Sequence, residues 1–199
     1  MTTLVFDVGN VLLRWDARLV LADVLPEAEI DPCLEEIGFA AWNLEQDRGR
    51  SWDEGVALAS AAHPRHAGLI ERFHTHWHLS VPGTIAGTVE ILRRAHGAGQ
   101  PVYAITNFSA EKWAECQARF DFLTLFADAV VSGQERLLKP DPTIYRVLLD
   151  RNGLDAKDYL FIDDSPRNVD AARALGMQAV QFTDADALAQ ELDRRGLLP

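Results

Sequence analysis

From Pro82 onward, short apolar runs alternate with stretches of helical spacing, and this alternation constrains the fold more than any other feature of the chain. Residues 102–105, 129–131, 159–162 and 179–182 read as buried strands. Between them, residues 84–96 carry Ile85, Val89, Leu92 and Ala95 on one helical face and stop at Gly97 and Gly99. Residues 109–120 read as a second helix. Asp141-Pro142 and Ser165-Pro166 each open a further helix, with a capping residue before a proline at the first helical position. Gly176 closes the latter, and a last helix spans about 184–195. Strands separated by helices require right-handed crossovers and a parallel sheet covered on both faces. Residues 3–6 supply one more buried strand for that sheet.

Residues 16–79 show no strand signal. Leu19, Val20, Val24 and Leu25 fit one helix, and Leu34, Ile37 and Ala41 fit a second. Ser51-Trp52-Asp53-Glu54 is a capping box that starts a third. Pro64 onward, with Leu69, Ile70, Phe73 and Trp77, gives a fourth. The expected architecture is therefore α/β. It is a Rossmann-like parallel sheet with helices on both faces, formed by residues 1–15 and 80–199, plus a small all-helical cap, residues 16–79, inserted after the first strand. Hinges are expected near 14–16 and 80–83.

The formal net charge of −11 opposes association with nucleic acid or an anionic membrane, so neither partner is expected. It also repels anionic substrates at long range, so a phosphate site must be built locally from a lysine, backbone N–H groups and a metal. No apolar run reaches the length of a membrane span, and no secretory signal pattern is present, which together point to the cytoplasm. Cys33 and Cys116 lack metal-ligand spacing and read as free thiols in a reducing compartment.

Ligands of open parallel sheets bind beyond the carboxyl ends of the strands. Asp7 follows the first strand at that edge, Thr106-Asn107 ends the next, Lys139 lies in a loop after residues 129–131, and Asp163-Asp164 ends 159–162. Taken singly, each has a bland reading: a strand-end turn, a solvated lysine, a helix cap. Taken together they suit phosphoryl transfer. A hard cation such as Mg²⁺ prefers oxygen ligands, which Asp7 and Asp164 can supply. Asp7 is then placed to attack phosphorus, with Lys139 and the Thr106 hydroxyl on the phosphoryl oxygens and N–H groups around Asn107 assisting.

The chain resembles the haloacid dehalogenase-like hydrolase superfamily in four motifs that together cover nearly its whole length. They are Phe6-Asp7-Val8-Gly9-Asn10-Val11, Ile105-Thr106-Asn107, Lys139-Pro140-Asp141-Pro142 and Phe161-Ile162-Asp163-Asp164-Ser165. The helical insert matches that family's cap. The resemblance implies Asp7 as nucleophile, Thr106 and Lys139 as phosphate ligands beside the Asn107 N–H groups read above, and Mg²⁺ held by Asp7, the Gly9 backbone carbonyl and Asp164, with Asp163 in support. The implied activity is a Mg²⁺-dependent phosphatase acting on a small phosphorylated metabolite.

The departure from that family lies at Gly9. Its usual phosphatases carry a second aspartate there, which protonates the leaving group and later activates water. General acid–base help is worth ~10²–10⁴-fold. Its absence admits a substrate with a good leaving group, such as a sugar 1-phosphate or an acyl phosphate, and the Asp-x-Gly-Asn form resembles bacterial glucose-1-phosphate phosphatases. It also admits a proton donor from the cap, such as Asp16 or a histidine, or a weakly catalytic phospho-ligand binding protein. A metal-independent 2-haloacid dehalogenase is the other enzymatic reading, opposed by Val8-Gly9 and by the acid pair at 163–164. In the insert, His74 and His78 share a helical face but lack an acidic third ligand. Trp15, Trp42 and Trp52 read as packing anchors or cap-pocket walls, and Arg14 and Arg48 as candidate substrate-side cations.

Overall fold

The computed structural model describes residues 2–153 and 155–198. Strand β1 (Thr3–Phe6) is followed by a two-residue strand, β2 (Leu13–Arg14). The helical segment holds α1 (Glu27–Glu36), α2 (Phe39–Asp47), α3 (Trp52–Ala62) and α4 (Ala67–Thr75), with short 3₁₀ turns around them. Then come β3 (Gly83–Thr84), α5 (Ala86–Gly97), β4 (Val102–Thr106), α6 (Ala110–Arg119), β5 (Asp128–Val131) and α7 (Ser132–Glu135). The chain ends with α8 (Pro142–Asn152), β6 (Tyr159–Asp163), α9 (Pro166–Ala174), β7 (Gln178–Gln181) and α10 (Ala185–Arg194).

The main sheet is five-stranded and parallel, in the order β5-β4-β1-β6-β7. Alternation along each strand divides the interior in two. Leu4 and Phe6 pack with Ala104, Leu160 and Ile162 on one face, against Leu92 of α5, Trp113 of α6 and Leu188 of α10. Val5, Tyr103, Ile105 and Phe161 pack on the other, against Tyr145 of α8 and Val169 of α9. Burying such side chains on both faces is worth roughly 1.5–3 kcal/mol each and explains why these strands read as unbroken apolar runs.

Helix starts follow the capping residues. Ser51, Ser109, Asp141 and Asp184 each accept a hydrogen bond from a backbone N–H in the first turn of the helix they precede. Ser165 does not cap α9 with its side chain. Instead Asp163 Oδ1 accepts the Ser165 N–H at 2.8 Å. A carboxylate at the end of a strand thus also organises the following helix.

The helical segment differs from the sequence expectation in its first half. Residues 17–20 form a 3₁₀ turn rather than a helix running to Leu25, and Val24 is exposed. Leu34, Ile37 and Ala41 do not share a helix: α1 ends at Glu36 and α2 begins at Phe39. Gly38 separates them with φ +63°, a left-handed conformation that glycine adopts without a Cβ clash. The fourth helix also ends early, at Thr75. His78 therefore lies in a separate 3₁₀ turn, and the shared helical face for His74 and His78 does not form.

The two ends of this segment are tied together. β2 and β3 form an antiparallel ribbon pairing Leu13 with Thr84 and Arg14 with Gly83, and Asp16 N–H donates to Ser80 O at 2.9 Å. The apolar side chains of the segment join the sheet's first core through Trp52, Phe73 and Trp77. Among the described residues no helix is long and apolar enough to cross a membrane, and Cys33 and Cys116 are buried free thiols.

Candidate active site

Asp7 leaves the carboxyl end of the central strand, with the ends of β4 and β6 on either side. Its N–H donates to Ile162 O at 2.8 Å, which continues the ladder one residue past β1. The loop that follows turns back on itself. Leu12 and Leu13 N–H both donate to Val8 O at 2.9 Å, and Asn10 adopts φ 55°. Asparagine tolerates that conformation better than most residues, and its Oδ1 accepts the Trp15 N–H at 3.0 Å.

Three charged side chains meet almost completely out of solvent. Lys139 Nζ lies 2.8 Å from Asp7 Oδ1 and 2.7 Å from Asp163 Oδ2. Asp7 is 7 % exposed, Lys139 4 % and Asp163 0 %. Burial pushes the Asp7 carboxyl up to about 7 even against the pull of the Lys139 ammonium. Burial alone would depress Lys139, but the two carboxylates outweigh it and hold its pKa above the ordinary value. Asp164 is raised by burial and by the charge of Asp163. One buried cation thus faces three carboxylates, an arrangement short of positive charge.

Asp163 is saturated. Its Oδ1 accepts from Ser165 N and Asn168 Nδ2, and its Oδ2 from Lys139 Nζ and Asn168 Nδ2. Asp7 Oδ1 accepts from Val8 N at 2.7 Å as well as from Lys139. Asp7 Oδ2 has no donor among the described residues. Carboxylate oxygens of Asp7, Asp163 and Asp164 lie within 4.8 Å of one another. An all-oxygen donor set with excess negative charge fits a hard divalent cation such as Mg²⁺.

The remaining sequence-predicted residues fall at the same edge in different ways. Thr106 is fully buried, and its Oγ1 has no hydrogen-bond partner. Such orphaned hydroxyls are costly in a core unless something meets them. The Asn107 side chain is already engaged, donating to Lys139 O at 3.0 Å and accepting from Lys139 N at 2.8 Å. Its side chain therefore positions the Lys139 loop. Gly9, Asn107 and Asp164 line a cavity of about 170 Å³ with Asn10, Trp15, Asn43, Asp47, Trp77, Phe108, Ser109 and Lys112. Asp7, Thr106 and Lys139 are not among its walls.

Several residues of the helical segment fall elsewhere. Asp16 caps the 3₁₀ turn at residues 17–20, and neither it nor any histidine lines this cavity. His74 stacks on Trp52 with ring centroids 5.7 Å apart. Arg14 and Arg48 are exposed and do not line the cavity, Arg48 lying 3.5 Å from Glu45. Trp42 and Trp52 are packing residues, each almost fully buried, while Trp15 is a cavity wall. Asp47 and Lys112, which line this cavity, carry no local sequence signal. They stand in α2 and α6, and only tertiary packing brings them here.

A family model of haloacid dehalogenase-like hydrolases matches residues 1–176. The chain belongs to that family and is a hydrolase of it. The drimenol cyclase drtB of Aspergillus calidoustus is 25% identical over 201 residues, covering 95% of this chain and 35% of that protein. The sesquiterpene phosphatase astK of Aspergillus oryzae is 33% identical over 107 residues, covering 54% of this chain and 55% of that protein. The matched regions thus span about a third and about half the lengths of these two relatives. The HAD family enzyme bt-2542 of Bacteroides thetaiotaomicron, solved in complex with magnesium and inorganic phosphate, superposes with a TM-score of 0.75 at 20% identity. That superposition covers 92% of this chain and 95% of the other.

Proposed function

We propose that this hydrolase is a Mg²⁺-dependent phosphatase for a small phosphorylated metabolite, working through an aspartyl-phosphate at Asp7. The observation that carries the reading is the buried Asp7–Lys139–Asp163 constellation, beside which the Thr106 hydroxyl stands without a partner. A phosphoryl group supplies the acceptor oxygens that Thr106 lacks. The phosphate in the bt-2542 structure and the phosphatase activity in astK's name support the same class.

Mg²⁺ would be held by Asp7, Asp164 and the Gly9 backbone carbonyl, with Asp163 supporting, and would neutralise charge between phosphate and carboxylate. Asp7 Oδ2, free of donors, attacks phosphorus in line with the leaving oxygen. Lys139 keeps Asp7 Oδ1 in place and offers its ammonium to the phosphoryl oxygens, which Thr106 Oγ1 and the Asn107 N–H also meet. Water then breaks the Asp7–phosphorus linkage and releases inorganic phosphate. Residues 16–79 act as the cap over the core of residues 1–15 and 80–199. The 170 Å³ cavity between them suits a small leaving group. Buried free thiols suit a reducing compartment, and we assign the protein to the cytoplasm. Attack of Asp7 on carbon, as in a dehalogenase, has no use for Asp164 beside the saturated Asp163.

The test is a phosphate-release screen with Mg²⁺ that compares the wild type with Asp7→Asn. Phosphate release by the wild type and none by Asp7→Asn is the expected result. Equal release by both proteins, or dehalogenation without metal and no phosphate release, would overturn the reading.

A further inference from the structure

Asp47 is the last residue of α2 and lines the active-site cavity together with Gly9 and Asp164. Its position is fixed from two sides. Asn43, one turn earlier, donates Nδ2 to Asp47 Oδ2 at 3.0 Å. Ser132, the first residue of α7, donates Oγ to Asp47 O at 2.5 Å, and the same hydroxyl accepts the Phe108 N–H at 2.8 Å. A residue of the helical segment is thus fastened to the loops at the carboxyl edge of the sheet. Close backbone approach makes this docking possible. Gly49 has φ +101°, and a Cβ there would lie 2.8 Å from Gly133 O, while a Cβ at Gly133 would lie 2.5 Å from Ala110 N. Neither position accepts a larger residue without movement.

The Asp47 carboxylate has no cationic partner among the described residues. Nearby cations are committed elsewhere: Arg48 to Glu45, Arg50 to Gln46 and the Trp42 carbonyl, and Lys112 to Glu115 and the His74 carbonyl. Burial pushes its pKa up to about 7 against the pull of the Ser109 backbone N–H. A carboxyl group that keeps its proton near neutrality, inside the cavity that receives the leaving group, has the properties of a general acid.

We infer that Asp47 is the acid–base residue of this enzyme, supplying from the helical segment the proton transfers for which Gly9 has no side chain. The inference rests on the phosphatase reading above. In the first step Asp7 Oδ2 forms a bond to phosphorus, the bond from phosphorus to the ester oxygen breaks, and the Asp47 proton passes to that oxygen to give a free alcohol. In the second, the Asp47 carboxylate takes a proton from water. The water oxygen bonds to phosphorus, the Asp7–phosphorus bond breaks, and inorganic phosphate leaves.

The test compares wild type, Asp47→Asn and the double variant Gly9→Asp/Asp47→Asn on glycerol 2-phosphate and on p-nitrophenyl phosphate, with Mg²⁺. Alkoxide needs protonation to leave, whereas p-nitrophenolate does not. Asp47→Asn is expected to lose ~10²–10⁴-fold in kcat/KM on glycerol 2-phosphate. On p-nitrophenyl phosphate it should release about one equivalent of nitrophenol per site in a burst and then turn over slowly, because the second step lacks its base. Apart from its chain neighbours, nothing lies within 4 Å of a Cβ built at Gly9, so a side chain can start there, and Gly9→Asp is expected to restore turnover in the double variant. Equal losses on both substrates without a burst, or no loss on glycerol 2-phosphate, would overturn the role of Asp47 while leaving the phosphatase reading intact. A wild type that releases phosphate from neither ester would overturn both.

Discussion

Asn107 and Lys139 hold each other by a two-point clasp: the asparagine amide donates to the lysine carbonyl at 3.0 Å and accepts the lysine N–H at 2.8 Å. The clasp connects the end of β4 to the loop that carries Lys139, 32 residues later in sequence. It decides that the ammonium falls between Asp7 and Asp163. Asn107→Ala should leave both peptide groups without partners, at ~1–3 kcal/mol for each buried group. The expected outcome is a lower thermal midpoint and at least a tenfold loss of phosphate release. Asn107→Asp keeps the acceptor and should fall between the alanine variant and wild type in both measurements.

Lys139→Met removes the cation that pairs with both Asp7 and Asp163. Breaking a buried pair from one side leaves an uncompensated charge and typically costs about 3–5 kcal/mol. A urea unfolding series at pH 8 should show that loss. Added Mg²⁺ should restore part of it, since a divalent cation supplies the missing positive charge.

Mg²⁺ binding itself should be visible without turnover. A ligand that binds only the native state at 100 times its Kd stabilises by about 2.7 kcal/mol. The thermal midpoint of the wild type should rise with Mg²⁺ concentration, and chelator should reverse the rise. Asp164→Asn should remove most of the effect, because Asp164 leaves only Asp7 and the saturated Asp163 when its charge is lost.

Asp47 makes stability depend on pH. Its carboxyl releases a proton near 3.8 when unfolded and near 7 when folded. Between those values the native state binds more protons than the unfolded state, so this group's contribution makes stability fall as pH rises through that window. The loss is complete above about pH 7 and amounts to on the order of a few kcal/mol. Asp47→Asn cannot ionise. It should match the wild type's stability near pH 4 and exceed it increasingly up to pH 8 in urea titrations, where Lys112 and Asp164 remain common to both proteins.

Trp52 anchors the helical segment to the core through its indole N–H, which donates to Ser109 Oγ at 2.8 Å, and through edge-on packing with Trp42. Trp52→Phe keeps most of the apolar contact and loses the hydrogen bond. It should lower stability by about 1–2 kcal/mol and leave Mg²⁺ binding unchanged, read by the same thermal shift.

The parallel sheet, its order of motifs and its helix starts were legible because they are local. Apolar runs, Asp141-Pro142 and Ser51-Trp52-Asp53-Glu54 act through neighbours a few residues away. The set Asp7, Thr106, Lys139 and Asp163-Asp164 was legible through topology, since strands in one parallel sheet present their carboxyl ends together. The helical segment was less legible. Gly38 breaks what reads as a continuous apolar face, and β2 and β3 are too short to register as strands.

Side-chain partnership was beyond the sequence altogether. The Asn107 amide holds a loop 32 residues away, and Ser165, which reads as a cap, makes no capping bond and instead gives its own N–H to Asp163. Asp47 carries no local sequence signal. Its environment depends on Ser132, Asn43 and a cavity wall assembled from distant segments. Sequence alone determined which chemistry gathers at the sheet edge, because strand pattern and motif order are properties of neighbouring residues. Only the tertiary structure decided which carboxyls there are buried and which of them has a cation beside it, because both are set by contacts between residues far apart in the chain.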